Sequence, residues 1–315
     1  MAKDDPIITP TTDLFIAALW SAPKNEPILR SLLNAVMTDI GLPPIVKATV
    51  LNPFNIQDYP TDKQIRLDVL VEDESKTKYN VEVQTDSHTS FFDRMLYYWA
   101  QTYGSLLERG EYYYKLRPVR SIVITEFPVF PELKELHTVF EIHARENPSV
   151  LLSKHFQMHV LRLGDLMRRN LSGLDSLCDG LQRWMQFWCL GLKAEKKNMS
   201  AMLQDAPEVL AAYEEYRRFS ADPVMREKAK ARQRFLDEQT IIMNDVREEG
   251  EAIGMVKGEA KGRAEGLAEG LAEGEAIGEA KKARETAQNM KLEGFEPAVI
   301  AKITGLPVSK IERLG

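Results

Sequence analysis

The sequence predicts an α/β fold, a mixed central sheet flanked by helices, followed by a helical C-terminal extension. Two observations carry that prediction. The first half of the chain alternates helical spacing with short apolar runs of strand length. Beyond about Leu166 the strand signals stop and the chain becomes charged, rich in strong helix formers.

The elements follow in order. Thr12 or Asp13 caps a helix over residues 14–20. A second helix covers 26–40, with Ile28, Leu29, Leu32, Leu33, Val36 and Met37 at helical spacing, and Gly41-Leu-Pro-Pro44 stops it. Residues 45–52 read as a strand, followed by strands at 65–71 and 79–84 joined by the polar stretch 72–78, short enough for a hairpin turn. Ser90 or Asp93 opens a long helix through Arg109, with Gly110 as its stop. The apolar run 120–125 is a buried strand, and 137–143 and 156–163 are two more strand candidates. Helix, three strands, helix, strand describes a mixed sheet with a helix crossing over one face.

The C-terminal half reads differently. Trp184, Phe187, Trp188 and Leu192 suggest a packed helix, and 207–249 is charged and helical. Then Gly250, Gly254, Gly258, Gly262, Gly266, Gly270, Gly274 and Gly278 recur every four residues among Glu, Ala, Leu and Lys. Each glycine costs a helix roughly 1 kcal/mol against alanine. The stretch is therefore either a frayed, flexible charged arm or a helix whose partner offsets the cost, since glycines four apart allow close backbone approach. In the last residues Phe295, Val299, Ile300, Ile303, Leu306, Val308 and Ile311 regain a core-like pattern, and Gly305-Leu-Pro307 resembles the turn of a helix-turn-helix. The expected organisation is a core at 1–165, a helical extension at 166–248, the glycine-repeat arm at 249–290 and a small helical tail at 291–315.

Composition sets bounds. With 315 residues and 44% hydrophobic content the chain suits one main domain with an extension. Its net charge of −6 excludes a global basic field, so any DNA contact must be local or depend on a metal. Cys178 and Cys189 lie in apolar surroundings without C-x-x-C spacing, as reduced core residues do. The N-terminus lacks a basic region followed by an apolar run, so no signal peptide is expected. No apolar run approaches the length of a membrane span. A soluble, cytoplasmic protein is the expectation.

Chemistry concentrates on two acids. Asp68 and Glu82 sit within the paired strand candidates, where side chains alternate between faces. Arg66, Asp68 and Leu70 share one face of the first, and Asn80, Glu82 and Gln84 share one face of the second. Two carboxylates brought together mid-strand repel unless a cation lies between them, which makes the pair a metal-site candidate. The alternative is a solvent face of an exposed hairpin, its acids paired with Arg66 and Lys78. Arg94, Tyr98 and Gln101 share a helix face that either borders the site or packs on the sheet. Glu26 is a candidate further acid, though a glutamate at a helix start is also expected from the helix dipole alone. The histidines show no metal-ligand spacing and read as structural.

Asp68, Glu82 and Glu82-Val-Gln84 are similar to the PD-(D/E)XK nuclease signature in its E-x-Q form. Around them stand Asp13-Leu-Phe15, Leu32-Leu-Asn-Ala-Val36, Arg66-Leu-Asp-Val69, Asn80-Val-Glu-Val-Gln84, Arg94 with Tyr97-Tyr98, and Gly110-Glu-Tyr-Tyr-Tyr114 leading to Ser121-Ile-Val123. With the glycine-every-four arm and Ile303-Thr-Gly-Leu-Pro307, the set resembles the recombination-promoting nuclease and transposase-like family over nearly the whole chain. The resemblance implies a restriction-endonuclease-like core and a Mg2+-dependent DNA endonuclease, with Mn2+ as the other suitable ion. It implies that Asp68, Glu82 and the carbonyl of Val83 hold the metal and that Gln84 replaces the usual lysine. An amide can orient water or bond a phosphate, but supplies no positive charge. Lys63 or Arg94 would restore that charge, and Tyr98 would join them in binding substrate. The chain departs from the family at Ile16, where members often carry lysine. DNA is the implied partner, with homo-oligomerisation through the arm and no membrane. Two other readings stand beside this one: a nuclease core kept as a DNA or protein docking module, and a self-associating scaffold without nucleic-acid contact.

Overall fold

The computed structural model describes residues 8–52, 69–85, 90–191 and 196–314. Two compact units divide it, Met1–Leu236 and Asp237–Gly315. In the first, helices α1 (Asp13–Ser21) and α2 (Glu26–Asp39) precede strands β1 (Ala48–Val50), β2 (Val69–Asp73) and β3 (Lys78–Gln84). Helix α3 (Phe91–Gly104) crosses to β4 (Val119–Thr125), followed by β5 (His137–Phe140) and β6 (Phe156–Arg162). The six-stranded sheet has the order β1-β2-β3-β4-β6-β5. Pairing is antiparallel from β1 to β3, parallel from β3 through β4 to β6, and antiparallel again at β5. A parallel β3–β4 pair needs a crossover, and α3 provides it. The mixed sheet predicted from sequence is present.

The β2–β3 hairpin is set by Asp73. Its Oδ1 accepts the backbone N–H groups of Ser75 and Thr77 and the Ser75 hydroxyl, and its Oδ2 accepts the Tyr79 hydroxyl. These bonds hold the tight turn, in which Lys76 adopts a left-handed backbone at φ 67°. The register that follows pairs Val69 with Val81 and Leu70 with Asn80.

Alternation then gives the sheet two buried faces. Val69, Val71, Tyr79, Val81, Ile122, Ile124 and Leu161 join the main core with residues of α1 and α2. Val123, Phe156, Met158 and Val160 face the other way and pack with Phe91 and Met95 of α3. The sheet is thus the middle of three layers. Helices α4 (Leu163–Arg168), α5 (Asp179–Leu190), α6 (Lys196–Met202) and α7 (Pro207–Ala221) follow. Trp184, Phe187 and Trp188 of α5 and Tyr213 and Tyr216 of α7 are buried in the main core, as is Cys189.

Some boundaries differ from expectation. Strand β1 is shorter than 45–52 because side chains claim the backbone before it: Asn34 brackets Ile45, and Glu74 accepts the N–H groups of Val46 and Lys47. Helix α3 stops at Gly104 rather than Arg109, where glycine and serine are weak helix formers and the Ser105 hydroxyl bonds the Thr102 carbonyl. Strand β5 ends at Phe140, and only an isolated bridge from His143 to Leu151 continues beyond it. The first acid strand is described only from Val69, so Asp68 lies outside the described residues.

A buried polar chain ties α2 to the sheet. Asp39 Oδ2 bonds His137 Nδ1 at 2.7 Å, and His137 Nε2 bonds His159 Nδ1 at 3.0 Å. Asp39 Oδ1 also accepts the Cys178 N–H at the start of α5. Burial alone would raise the Asp39 carboxyl, but the bonds from His137 and Cys178 hold it below its usual range. His159 is pushed well below its ordinary value, first by burial and then by the charges of His137 and Arg120. Close packing also fixes the loop after β4. A methyl at Gly164 would lie 2.2 Å from the Glu126 carbonyl oxygen. The Glu126 N–H in turn bonds the Gln84 carbonyl at 3.0 Å.

The long helix α8 (Pro223–Leu292) begins in the first unit and carries the glycine repeat in the second, so within the structure that stretch is helical. A methyl built on any of its eight repeat glycines meets no atom within 4 Å. Helices α9 (Pro297–Thr304) and α10 (Val308–Glu312) fold back on its end, burying Ile300, Ile311 and Leu314 with Ala287. Gly305 makes the turn between them at φ 71°, a left-handed position that favours glycine. The resemblance to a helix-turn-helix is a short pair of helices packed on α8.

Two outcomes follow. Replacing Gly164 with alanine forces backbone apart, and the stability loss should be about 1–3 kcal/mol or more, read from urea denaturation. His159 binds protons more readily unfolded than folded, so its stabilising neutral form is fully favoured above the unfolded value of 6.5. Stability should therefore fall as pH drops below that value, by at most about 1.4 kcal/mol per pH unit. His159→Gln should remove that slope between neutral and mildly acidic pH.

Candidate active site around Glu82

Strand β3 has one apolar and one polar face. Tyr79 and Val81 enter the main core, with Val83 packed against it, while Asn80, Glu82 and Gln84 lie on the side of α3. The Glu82 side chain is only 10% exposed. Its Oε1 is 3.9 Å from Arg94 Nη2, while its Oε2 is buried with no hydrogen-bond partner among the described residues. Arg94 rises from the first turn of α3 and donates from Nη2 to Gln84 Oε1 at 2.9 Å. Its guanidinium also lies 5.5 Å from the centre of the Phe91 ring.

Strand β4 adds hydroxyls beside these groups. Its parallel register sets Asn80 beside Ser121, Glu82 beside Val123 and Gln84 beside Thr125. Register neighbours point to the same side, so Ser121 and Thr125 share the polar face. The Oγ atoms of Ser121 and Thr125 and the Nε of Arg94 are buried without hydrogen-bond partners among the described residues. Leaving such groups unpaired costs about 1–3 kcal/mol each.

This arrangement suits a hard cation. A buried carboxylate oxygen with no donor is relieved by a positive ion, and oxygen ligands from Glu82, Gln84 and hydroxyls are the set that Mg2+ takes. Among the described residues no group of three or more His, Cys, Asp and Glu side chains lies close enough to hold a metal. Asp68, the second expected acid ligand, lies outside those residues, as does Lys63. The donors present fit the expected ion in kind.

The structure brings together Glu82, Gln84 and Arg94 among the expected residues. Tyr98 stands one turn beyond Arg94, half-buried against the second core, its ring 6.1 Å from that of Tyr97. Glu26 is elsewhere: its Oε1 accepts the Ala48 N–H and the Arg30 Nε, pinning the start of β1 at the Asp73 end of the hairpin. Of the histidines, His137 and His159 lie in the Asp39 chain and His155 is bonded to the Tyr103 hydroxyl, while His88 lies outside the described residues. Sequence reasoning missed Ser121 and Thr125, read only as parts of an apolar strand. The signal available was a pair of hydroxyls at period-two spacing inside that run.

A family model described as PD-(D/E)XK nuclease family transposase matches residues 10–245. No curated protein and no solved structure matches the chain. The family match takes in the whole sheet, the Glu82-Val-Gln84 segment and the helices of the first unit, well over half of the sequence. With the mixed sheet and the polar face around Glu82 already established, the chain belongs to the PD-(D/E)XK nuclease family transposases.

Proposed function

We propose that this protein is a Mg2+-dependent DNA endonuclease that hydrolyses phosphodiester bonds and so promotes recombination or serves a mobile element. The observation that carries the reading is the buried Oε2 of Glu82, without a donor among the described residues, beside Gln84 and Arg94. The hairpin register supports it. Pairs run from Val71↔Tyr79 to Val69↔Val81, which sets the start of β2 beside the residue that precedes Glu82.

Asp68, Glu82 and the Val83 carbonyl would hold Mg2+ or Mn2+. The ion's chemistry is to lower the pKa of an attacking water and neutralise charge on the scissile phosphate. Gln84 orients that water through its amide carbonyl or donates to a phosphate oxygen. Arg94 supplies the positive charge that an amide lacks, and its fork geometry suits a phosphate. Substrate entry would draw the Arg94 guanidinium away from Gln84, freeing the amide for the water. Lys63 and Tyr98 complete the proposed substrate contacts.

One observation favours a second reading, a docking module that binds DNA or protein without cutting. The Arg94 bond occupies the very Gln84 oxygen that the water would need. We also assign self-association to the arm. Ile253, Val256, Leu267, Leu271 and Ile277 are exposed along α8, and its repeat glycines lie open.

Plasmid cleavage with Mg2+ or Mn2+ tests the main reading. The intact chain should nick or linearise DNA, and Asp68→Ala and Glu82→Gln should each lower the rate about a hundredfold or more, the scale of losing one preorganised electrostatic group. Metal-dependent DNA binding without cutting, at generous protein concentration, would favour the docking module. For the arm, the mass in solution should exceed one chain by light scattering. Leu267→Lys with Leu271→Lys should lower it, and a single-chain mass for the intact protein sinks the assignment.

A further inference from the structure

We infer that the turn after α3 is a stacking platform for unpaired nucleotides of single-stranded DNA. The inference rests on the DNA-acting reading above for the class of its partner. Three consecutive tyrosines, Tyr112, Tyr113 and Tyr114, are 68%, 83% and 77% exposed. The rings of Tyr112 and Tyr114 lie nearly parallel, 18° apart with centroids at 5.6 Å. Large aromatic surfaces left in water cost free energy unless a partner covers them.

The backbone presents these rings in a fixed arrangement. Tyr113–Lys115 is a short 3-10 turn, with the Lys115 N–H bonded to the Tyr112 carbonyl and the Leu116 N–H to that of Tyr113. Arg117 locks it from below: its Nη1 reaches the carbonyls of Tyr114, Lys115 and Leu116 at 3.3, 3.2 and 3.0 Å. A platform ordered before binding loses little entropy when a ligand arrives.

The chemistry selects the partner. Exposed Arg109, Lys115 and Arg117 flank the rings, against Glu108 and Glu111 within the same stretch. Glu111 already holds Lys115 at 2.8 Å, which leaves Arg109, with the donors of Arg117 other than its Nη1, as the cations for phosphate. Aromatic faces interleaved with cations match the alternation of base and phosphate in a nucleic-acid strand. A protein contact of this strength would set its aromatics in a desolvated apolar surround; here the one aliphatic neighbour in the turn, Leu116, is half-buried. Bases in a duplex have their faces covered by their neighbours, so only an unpaired strand offers a base to these rings.

The turn runs into Val119, which pairs in register with Lys78, while Gln84 pairs with Thr125 at the other end of the same strands. At about 3.3 Å per residue the start of β4, into which the turn runs, lies roughly 20 Å from Gln84. That is about six nucleotides of a stacked strand at ~3.4 Å each. Helix α3 spans the same interval, from Arg94 near Glu82 to Tyr103 near His155 at the start of β6. A strand held at the tyrosines would therefore be gripped away from the bond being cut.

Fluorescence anisotropy of labelled oligothymidylate with the full chain in EDTA tests this without metal or cleavage. Tyr112→Ala with Tyr114→Ala should weaken binding about tenfold or more. Tyr112→Phe with Tyr114→Phe should leave it within about twofold, because the ring faces remain. Binding to a duplex of equal length should be unchanged in both. An oligonucleotide bearing one 5-bromodeoxyuridine should photo-crosslink at Tyr112 or Tyr114, as read by peptide mass spectrometry. Equal affinity of the alanine variant and the intact chain overturns the inference. So does an equal loss on duplex, or a loss of self-association with DNA affinity unchanged, which would make the turn a protein contact. Because no arm requires hydrolysis, an inert chain that still loses oligothymidylate with the alanine pair sinks the nuclease reading and leaves the platform standing.

Discussion

The Asp73 turn is the constraint from which the rest of the site follows. A strand has a side-chain period of two, so a slip of one residue between β2 and β3 would exchange every side chain between the two faces. Val81 would then leave the main core and Glu82 would enter it. One carboxylate prevents this by taking three donors from the turn and a fourth from Tyr79 within β3 itself. The Tyr79 hydroxyl also accepts from Arg120, which continues to Gln157 on β6, so the register is braced across three strands. Burial is the largest of the influences that hold the Tyr79 hydroxyl protonated.

Given that register, β3 and β4 expose a polar strip to α3 inside an otherwise apolar interface. Phe91 and Met95 cover the sheet around it and exclude water, which strengthens each remaining charge interaction. The same exclusion makes the bare oxygen of Glu82 costly. Arg94 offsets part of that cost at 3.9 Å without forming a hydrogen bond to Glu82, because its guanidinium is drawn to Gln84. The result is a carboxylate held ready beside an arginine and an amide, a combination that a packed core on its own would not retain. The second helix layer is what keeps the opposite face apolar, with α5 and α7 packed through Trp184, Trp188, Tyr213 and Tyr216.

The arm obeys a different geometry. At 3.6 residues per turn, a step of four residues overshoots a full turn by about 40°. Eight glycines in such steps wind about 280° around a straight helix rather than lining one side. A partner helix meeting several of them must therefore cross or wrap around α8. Glycine also lowers the intrinsic stability of the segment, and short-range pairs such as Arg263 with Glu259 at 2.8 Å support it locally. The tail behaves more like a small core of its own, with Ile300 and Ile311 buried against Ala287.

Period and turn chemistry are local properties, and for that reason the sequence alone determined most of the elements, the antiparallel hairpin and the face on which Glu82 lies. The E-x-Q segment and the motifs around it likewise determined the family. Element ends were less legible, because they were decided by side chains from elsewhere: Asn34 and Glu74 shortened β1 by occupying its backbone. Only the tertiary structure decided that Arg94 reaches Gln84, that Glu26 is spent on β1, and that Ser121 and Thr125 border the acid. Each depends on which strand lies beside β3 and how α3 crosses it, and those are contacts between residues far apart in the chain. The exposed tyrosine turn belongs to both: its composition was plain in the sequence, while its exposure and parallel rings arise from where α3 stops and β4 begins.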